Sequence, residues 1–136
     1  MEMQKAKLEL YSYAQECHFQ YVLKKDIIEL GKDIENFSGD IQNDLISQLK
    51  EKENILKQSI ATTKIVERKI GMLSQPYKNI LYLKHINNVS YVEIANQLFY
   101  TESRIFQLHK IALEKYCEIE LSPEINVDID DITKLQ

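Results

Sequence analysis

The sequence predicts an all-α protein in which a long helical arm precedes a compact three-helix domain. The chain of 136 residues contains 3 glycines and 2 prolines, so few positions favour turns. Leucine and isoleucine recur at three- and four-residue steps along most of its length, as they do on the buried sides of amphipathic helices. Together these patterns divide the chain into an arm at residues 1–72, a three-helix domain at 73–117 and an acidic tail at 118–136.

The arm is predicted to consist of two long helices. The first runs from Met3 to about Glu35, the second from about Ile41 to Gly71, and turn-forming residues at 36–40 separate them. Heptad spacing predicts a buried seam formed by Leu10, Cys17, Tyr21, Ile28, Leu45, Leu49 and Leu56. Polar residues interrupt this seam at Lys52, Ser59 and Thr63. The pattern fits either an antiparallel hairpin or one half of a homodimeric bundle.

Local signals predict the ends of the three helices in the second domain. Pro76 favours the start of the first helix, and Asn87-Asn88 its end, because asparagine tolerates the left-handed backbone. Ser90, with Glu93 three residues later, forms a capping box that starts the second helix at Tyr91. Thr101 is the N-cap of the third helix, which starts at Glu102. Two capped helices joined by a short corner are typical of a helix-turn-helix.

Helical periodicity separates the buried and exposed sides of the last two helices. The second helix is expected to bury Val92, Ile94, Ala95 and Leu98. The third is expected to bury Ile105, Leu108, Ala112 and Leu113. The opposite side of the third helix would then enter the major groove. The candidate DNA-binding residues are Ser90, Tyr91, Thr101, Glu102, Ser103, Arg104, Phe106, Gln107 and Lys110.

The polar groups on this face match known modes of base and phosphate contact. Gln107 can pair with adenine through two hydrogen bonds, and Lys110 can meet phosphate or guanine. Phe106 can press against a thymine methyl group. Arg104 has two interpretations: it contacts the DNA backbone, or it forms an ion pair with Glu93 or Glu102. The remaining alternative is a solvated face of a structural helix bundle.

The motifs in residues 73–116 resemble region four of the primary sigma factors of bacterial RNA polymerase. They resemble more closely the small phage-encoded transcriptional activators that carry this domain alone. The matching positions are Glu93-Ile94-Ala95, Thr101, Arg104, Ile105, Gln107 and Ala112-Leu113. Phe99-Tyr100 stands where the family usually has a glycine, which predicts a different corner, and Phe106 stands where it often has a basic residue. The resemblance implies a helix-turn-helix fold and a role in transcription.

Charge is distributed unevenly along the chain. The net charge is −4 at pH 7, which by itself argues against a nucleic-acid partner. From Ser74 to Cys117, however, five lysines and arginines face three glutamates, whereas the tail holds six acids and one lysine. The predicted reading domain is therefore mildly basic, and a dimer would strengthen the binding of each weak copy.

Several classes of function are not expected. His18, His85 and His109 are far apart in sequence and lack metal-ligand spacing, so each is interpreted as a surface or half-buried histidine. His109 could add a minor phosphate contact. Neither a phosphate-binding glycine loop nor a nucleophile motif is present, so an enzyme and a cofactor are not predicted. Cys17 and Cys117 are interpreted as reduced thiols. A cytoplasmic protein is expected, because neither a membrane-spanning run nor a signal-peptide pattern occurs.

The sequence thus predicts a DNA-binding transcription regulator. More specifically, it predicts a phage or prophage activator of transcription that binds double-stranded DNA. The alternative is a protein-interaction module that binds RNA polymerase or another regulator and modulates transcription without reading DNA. For the tail, two hypotheses stand side by side. Its carboxylates lie near the basic face and compete with DNA phosphate, or the segment is a solubilising end.

Overall fold

The computed structural model describes residues 2–119, and these are helical except for short connections. Its helices are α1 Glu2–Tyr11, α2 Tyr13–Asn36, α3 Gly39–Gly71, α4 Tyr77–Leu81, α5 Tyr91–Leu98 and α6 Glu102–Cys117. A π-helical turn, Tyr82–Ile86, continues α4. Because residues 2–119 contain no strand, the all-α prediction is confirmed for this part of the chain.

The described residues divide into two compact units. The head unit comprises residues 2–15 and 64–119, and the helix-pair unit comprises residues 16–63. The head unit therefore includes α1 and the end of α3, which the sequence analysis placed in the arm. The predicted acidic tail lies, from residue 120 onward, outside the described residues.

In the helix-pair unit, α2 and α3 run antiparallel. Their apolar contact includes a cluster of Leu23, Leu56 and Ile60, with Ile27 packed against it. Further along, an ion pair joins Lys52 Nζ to Asp26 Oδ2 at 3.6 Å. The turn between the helices falls at residues 37–38, within the predicted range.

Polar side chains complete this contact where the heptad pattern is interrupted. Gln20 Nε2 donates to Ser59 Oγ at 3.2 Å and to Thr63 Oγ1 at 3.1 Å. The Ser59 hydroxyl in turn donates to Glu16 Oε2 at 2.5 Å. Gln20, Ser59 and Thr63 are all buried, so a shift in register would leave buried polar groups without partners. The interruptions therefore fix how the two helices align.

The buried side of α2 differs from the predicted seam. Tyr21 and Ile28 are exposed, whereas Leu23 and Leu30 are buried. Among the other predicted seam residues, Leu56 is fully buried and Cys17, Leu45 and Leu49 are half-buried. Leu10 is buried in the head unit. The difference arises because α2 carries apolar residues on two sides, and heptad spacing alone does not choose between them.

The first helix was predicted to be continuous but is interrupted at Ser12. The Ser12 hydroxyl donates to the Leu8 carbonyl at 2.6 Å and lies 3.3 Å from the Glu9 carbonyl. A serine that bonds back to the preceding turn competes with the regular helix and bends it. The interruption separates α1, which belongs to the head unit, from α2.

A dense apolar core organises the head unit. Its centre is formed by Ile80 of α4, Ile94 and Ala95 of α5, and Ile105 and Leu108 of α6. Tyr77, Leu83, Val89, Tyr91 and Leu98 pack around this centre. Three short helices can bury so many side chains because each contributes one apolar side at three- and four-residue steps.

Candidate nucleic-acid interface

One side of α6 is buried in the core, so the opposite side faces outward. Ile105, Leu108, Ala112 and Leu113 are buried, with at most 5% of each side chain exposed, so this sequence prediction is confirmed. At the start of the helix, the Arg104 N–H donates to Thr101 Oγ1 at 3.1 Å. The predicted N-cap is therefore confirmed as well, and it satisfies one of the free N–H groups at the helix start.

The corner between α5 and α6 combines a regular cap with an unusual residue. The Glu93 N–H donates to Ser90 Oγ at 3.2 Å, so α5 starts at the predicted residue. At its end, Phe99 adopts the left-handed conformation, with φ 61° and ψ 39°. The Tyr100 N–H then donates to the Ala95 carbonyl at 3.0 Å and closes the corner. This corner thus places a phenylalanine in the backbone conformation that glycine adopts most easily.

The outward side of α6 is polar and accessible. Ser103, Gln107 and Lys110 are exposed and follow one another at steps of four and three residues, so they share one face of the helix. Arg104 Nη1 donates to Gln107 Oε1 at 3.1 Å. This bond holds the Gln107 amide in place and leaves its NH₂ group and one oxygen lone pair for a base edge.

The nine predicted DNA-binding residues can all be located in the structure. Eight are exposed, and Tyr91 is half-buried. The Tyr91 ring lies 4.6 Å from the Phe106 ring, centroid to centroid, so these two side chains join the start of α5 to the face of α6. Lys84 Nζ lies 4.2 Å from the centroid of the Tyr91 ring, within reach of a cation–π interaction.

Val92 does not lie where the sequence analysis expected it. Its side chain is 53% exposed, whereas Ile94 and Ala95 are buried. Tyr91, Ile94, Ala95 and Leu98 form one helical stripe, and Val92 lies about 100° around the helix from Tyr91. The exposed valine adds apolar surface near the candidate interface.

Two histidines form a buried pair that the sequence analysis did not predict. His85 Nε2 and His109 Nε2 are 2.9 Å apart, and each side chain is 5% exposed. His109 is therefore not the surface residue that was expected to touch phosphate. Tyr11 packs edge-on against His85 at 4.8 Å, and Tyr91 packs edge-on against His109 at 5.5 Å between ring centroids.

The surroundings keep both imidazoles neutral. Burial lowers the pKa of His85 to about 3, with further contributions from His109 and Lys84. Burial also lowers the pKa of His109 to about 4, and the positive charges of Lys84 and Lys7 add to this effect. A neutral pair can share one hydrogen bond, in which one ring nitrogen donates and the other accepts.

Helix α1 is part of the head unit and packs against α6. The Tyr116 hydroxyl donates to Glu9 Oε1 at 3.2 Å, and Lys69 Nζ lies 3.3 Å from the same oxygen. Tyr116 is fully buried, and burial, followed by the charge of Glu9, raises the pKa of its hydroxyl. Residues far apart in sequence make these contacts, so periodicity within α1 gave no signal for them.

Charge separates the two units more clearly than the predicted domains. The described head unit holds ten lysines and arginines against seven acids, whereas the helix-pair unit holds six against nine. The head unit is thus the basic part of the chain, and α6 lies in it. Positive charge on a surface that carries polar, base-matching side chains favours a polyanionic partner.

In residues 2–119, no group of three or more histidine, cysteine or acidic side chains is arranged to hold a metal ion. None of the helices described is both long and apolar enough to cross a membrane. No match to this chain was found among protein-family models, curated proteins or solved structures.

Proposed function

We propose that this protein is a sequence-specific regulator of transcription that reads double-stranded DNA with α6. The main support is a row of exposed side chains on α6, formed by Ser103, Gln107 and Lys110. The opposite side of this helix is buried in the core. A rigid helix with hydrogen-bonding groups on one face can enter the major groove and contact base edges. The sigma-like motifs favour activation, as in the phage proteins that the chain resembles.

The start of α5 supports the same assignment. Ser90 and Thr101 are exposed and cap α5 and α6. Helix starts carry partial positive charge and free N–H groups, which suit phosphate oxygens. In this proposal, the caps orient the head on the backbone while α6 contacts the bases. The helix-pair unit serves as an arm, and a second copy would supply the other half-site.

A mobility-shift screen against fragments of the source genome at low salt tests whether a specific site exists. On that site, Gln107→Ala or Ser103→Ala should cost about 1–3 kcal/mol of binding free energy and relax the preference for one base pair. Lys110→Ala should weaken specific and random DNA alike, because a phosphate contact carries no sequence information.

Lys115→Ala is the matched control for Lys110. It removes the same charge from the same helix, but Lys115 lies 5.2 Å from the centroid of the Tyr77 ring, away from the proposed reading face. Its affinity for DNA should stay close to that of the unchanged protein. Equal losses on specific and random DNA for Ser103, Gln107 and Lys110 variants would refute the base contacts.

A protein-binding role is the second candidate, and exposed aromatic surface favours it. Phe99 is 93% exposed, and Tyr100 beside it is 40% exposed. Aromatic side chains are common anchors in protein interfaces. If this role is correct, Phe99→Ala should abolish capture of RNA polymerase by the protein and leave its DNA affinity unchanged. Capture that persists in this variant would count against Phe99 as the anchor.

A further inference from the structure

A groove lies between parts of α1 and α6, next to Lys110. It has a volume of about 400 Å³, and its lining includes Lys7 and Tyr11 of α1 and His109 and Lys110 of α6. Lys110 belongs to the proposed reading row. Lys7 also lines the groove, so each of the two helices contributes one lysine to it.

Positive charge from three separate elements converges here. Lys7 on α1 and Lys84 in the π-helical turn are both close enough to His109 to affect its titration, and Lys110 follows His109 in the chain. Among acidic groups, Glu114 also lines the groove. Glu9 of α1 is already engaged by Lys69 and Tyr116. The lysines therefore outnumber the acids at this wall, and Lys7 is exposed.

Held neutral, the buried histidine pair neither adds positive charge nor draws an anion inward. An anion that approaches this side of α6 therefore meets lysines at the rim. Lys84 also lies above Tyr91, the residue at the start of α5. Each strand of double-stranded DNA carries one phosphate charge per about 3.4 Å of helix axis, so a row of lysines from different elements can follow the strand.

We propose that the DNA-binding surface extends beyond the helix-turn-helix onto α1. There Lys7 contacts a backbone phosphate beside the major groove of DNA that α6 reads. Lys84, which lies over the Tyr91 ring, makes a second backbone contact. This inference rests on the proposed function and adds the N-terminal helix to it. The role of Lys7 is to strengthen and orient binding on any sequence, since the contact is made to phosphate.

The test measures DNA affinity of the full chain across a salt series. Lys7→Ala should lower affinity for specific and random DNA by the same factor. It should also reduce the slope of log affinity against log salt by about one. The ratio of the DNA affinity of the unchanged protein to that of this variant should therefore fall about threefold between about 50 and 200 mM salt.

Lys5→Ala is the matched control, because it removes an equal charge from an exposed position on the same helix. Lys5 is exposed but stands about 200° around α1 from Lys7, so its removal should leave the slope unchanged. Circular dichroism should show equal helix content in both variants. Equal slope changes in the Lys5 and Lys7 variants would overturn the assignment, because the effect would then be one of overall charge.

Failure of this inference can be told apart from failure of the proposed function. If the unchanged protein binds DNA and Lys110→Ala reduces the salt slope while Lys7→Ala does not, α1 makes no phosphate contact, and the reading helix stands. If the unchanged protein binds no DNA at low salt, both proposals fall. If Lys7→Ala tightens binding, α1 obstructs DNA, and the inference is overturned.

Discussion

The head unit and the helix-pair unit are both helical, yet they are held together in different ways. The head unit buries residues from α1, α3, α4, α5 and α6, and α4, α5 and α6 build its central apolar cluster. The helix-pair unit buries a cluster of three apolar residues, and much of its specificity comes from the hydrogen bonds of Gln20. The free energy gained from apolar burial scales with the area removed from water. The head unit is therefore expected to be the more stable of the two.

The difference indicates where each unit can tolerate change. A core enclosed by several elements cannot close around a lost side chain, whereas two helices can move together. A polar network, in contrast, selects one alignment but adds little net stability. The head unit therefore offers a rigid platform for the proposed binding face, and the helix pair has a defined alignment that can adjust to a lost side chain.

The largest expected effect comes from shortening one fully buried side chain in each unit. Ile105→Ala in the head unit should lower the free energy of unfolding by about 4 kcal/mol, and Leu56→Ala in the helix pair by about 2–3 kcal/mol. Both side chains are 0% exposed. Urea unfolding, combined with hydrogen exchange of the amides in each unit, measures the two costs. Equal costs would contradict the proposed difference in packing.

An effect of comparable total size, but divided between two side chains, is expected from pH, and it should be confined to the head unit. His85 and His109 have pKa values of about 3 and 4 in the folded chain, against 6.5 as the ordinary value. Between these values the unfolded chain binds more protons, so the head unit loses stability as pH falls below 6.5. From pH 6.5 to 5, the loss should be on the order of 2 kcal/mol per histidine.

The measurement is the unfolding free energy of the head amides as a function of pH. Replacing both His85 and His109 with glutamine should flatten the curve below pH 6.5, because glutamine does not titrate. An acid-dependent loss that remained in the double variant would show that other groups cause it.

The smallest expected effect concerns strain that the head unit holds. Phe99→Gly should raise the free energy of unfolding by about 1 kcal/mol, because a left-handed backbone costs most residues about 1–2 kcal/mol and the side chain is largely exposed. Asn88 also has a positive φ, 55°, but asparagine tolerates it, so Asn88→Gly should give a smaller gain. Thermal unfolding compares the two variants. A lower stability of the Phe99→Gly variant would mean that contacts of the Phe99 ring stabilise the fold by more than the left-handed backbone costs.

The parts of the fold that depend on neighbouring residues could be predicted from sequence. The caps at Ser90 and Thr101 act over three residues, so they placed the starts of α5 and α6 correctly. The buried side of α6 followed from its period. The polar face of α6 is located for the same reason, although its role in binding DNA stays a prediction.

The parts that depend on distant residues could not be predicted in this way. Gln20, Ser59 and Thr63 looked like interruptions of an apolar seam, but they are bonded to one another across the two helices. His85 and His109 are 24 residues apart and meet because α6 packs against α4, which the π-helical turn with His85 continues. Nothing in the periodicity of α1 indicated that Lys7 would share a groove with Lys110.

The histidine pair has a consequence for the placement of hydrogen atoms. Its two Nε2 atoms, 2.9 Å apart, can hold one hydrogen between them. One ring must therefore carry its hydrogen on Nε2 and the other on Nδ1, which makes the pair two opposite tautomers. Two such arrangements exist, with the same heavy-atom positions and opposite bond dipoles. Exchange between them requires two proton shifts, because the hydrogen on one Nδ1 must leave and the other Nδ1 must gain one while the shared hydrogen crosses.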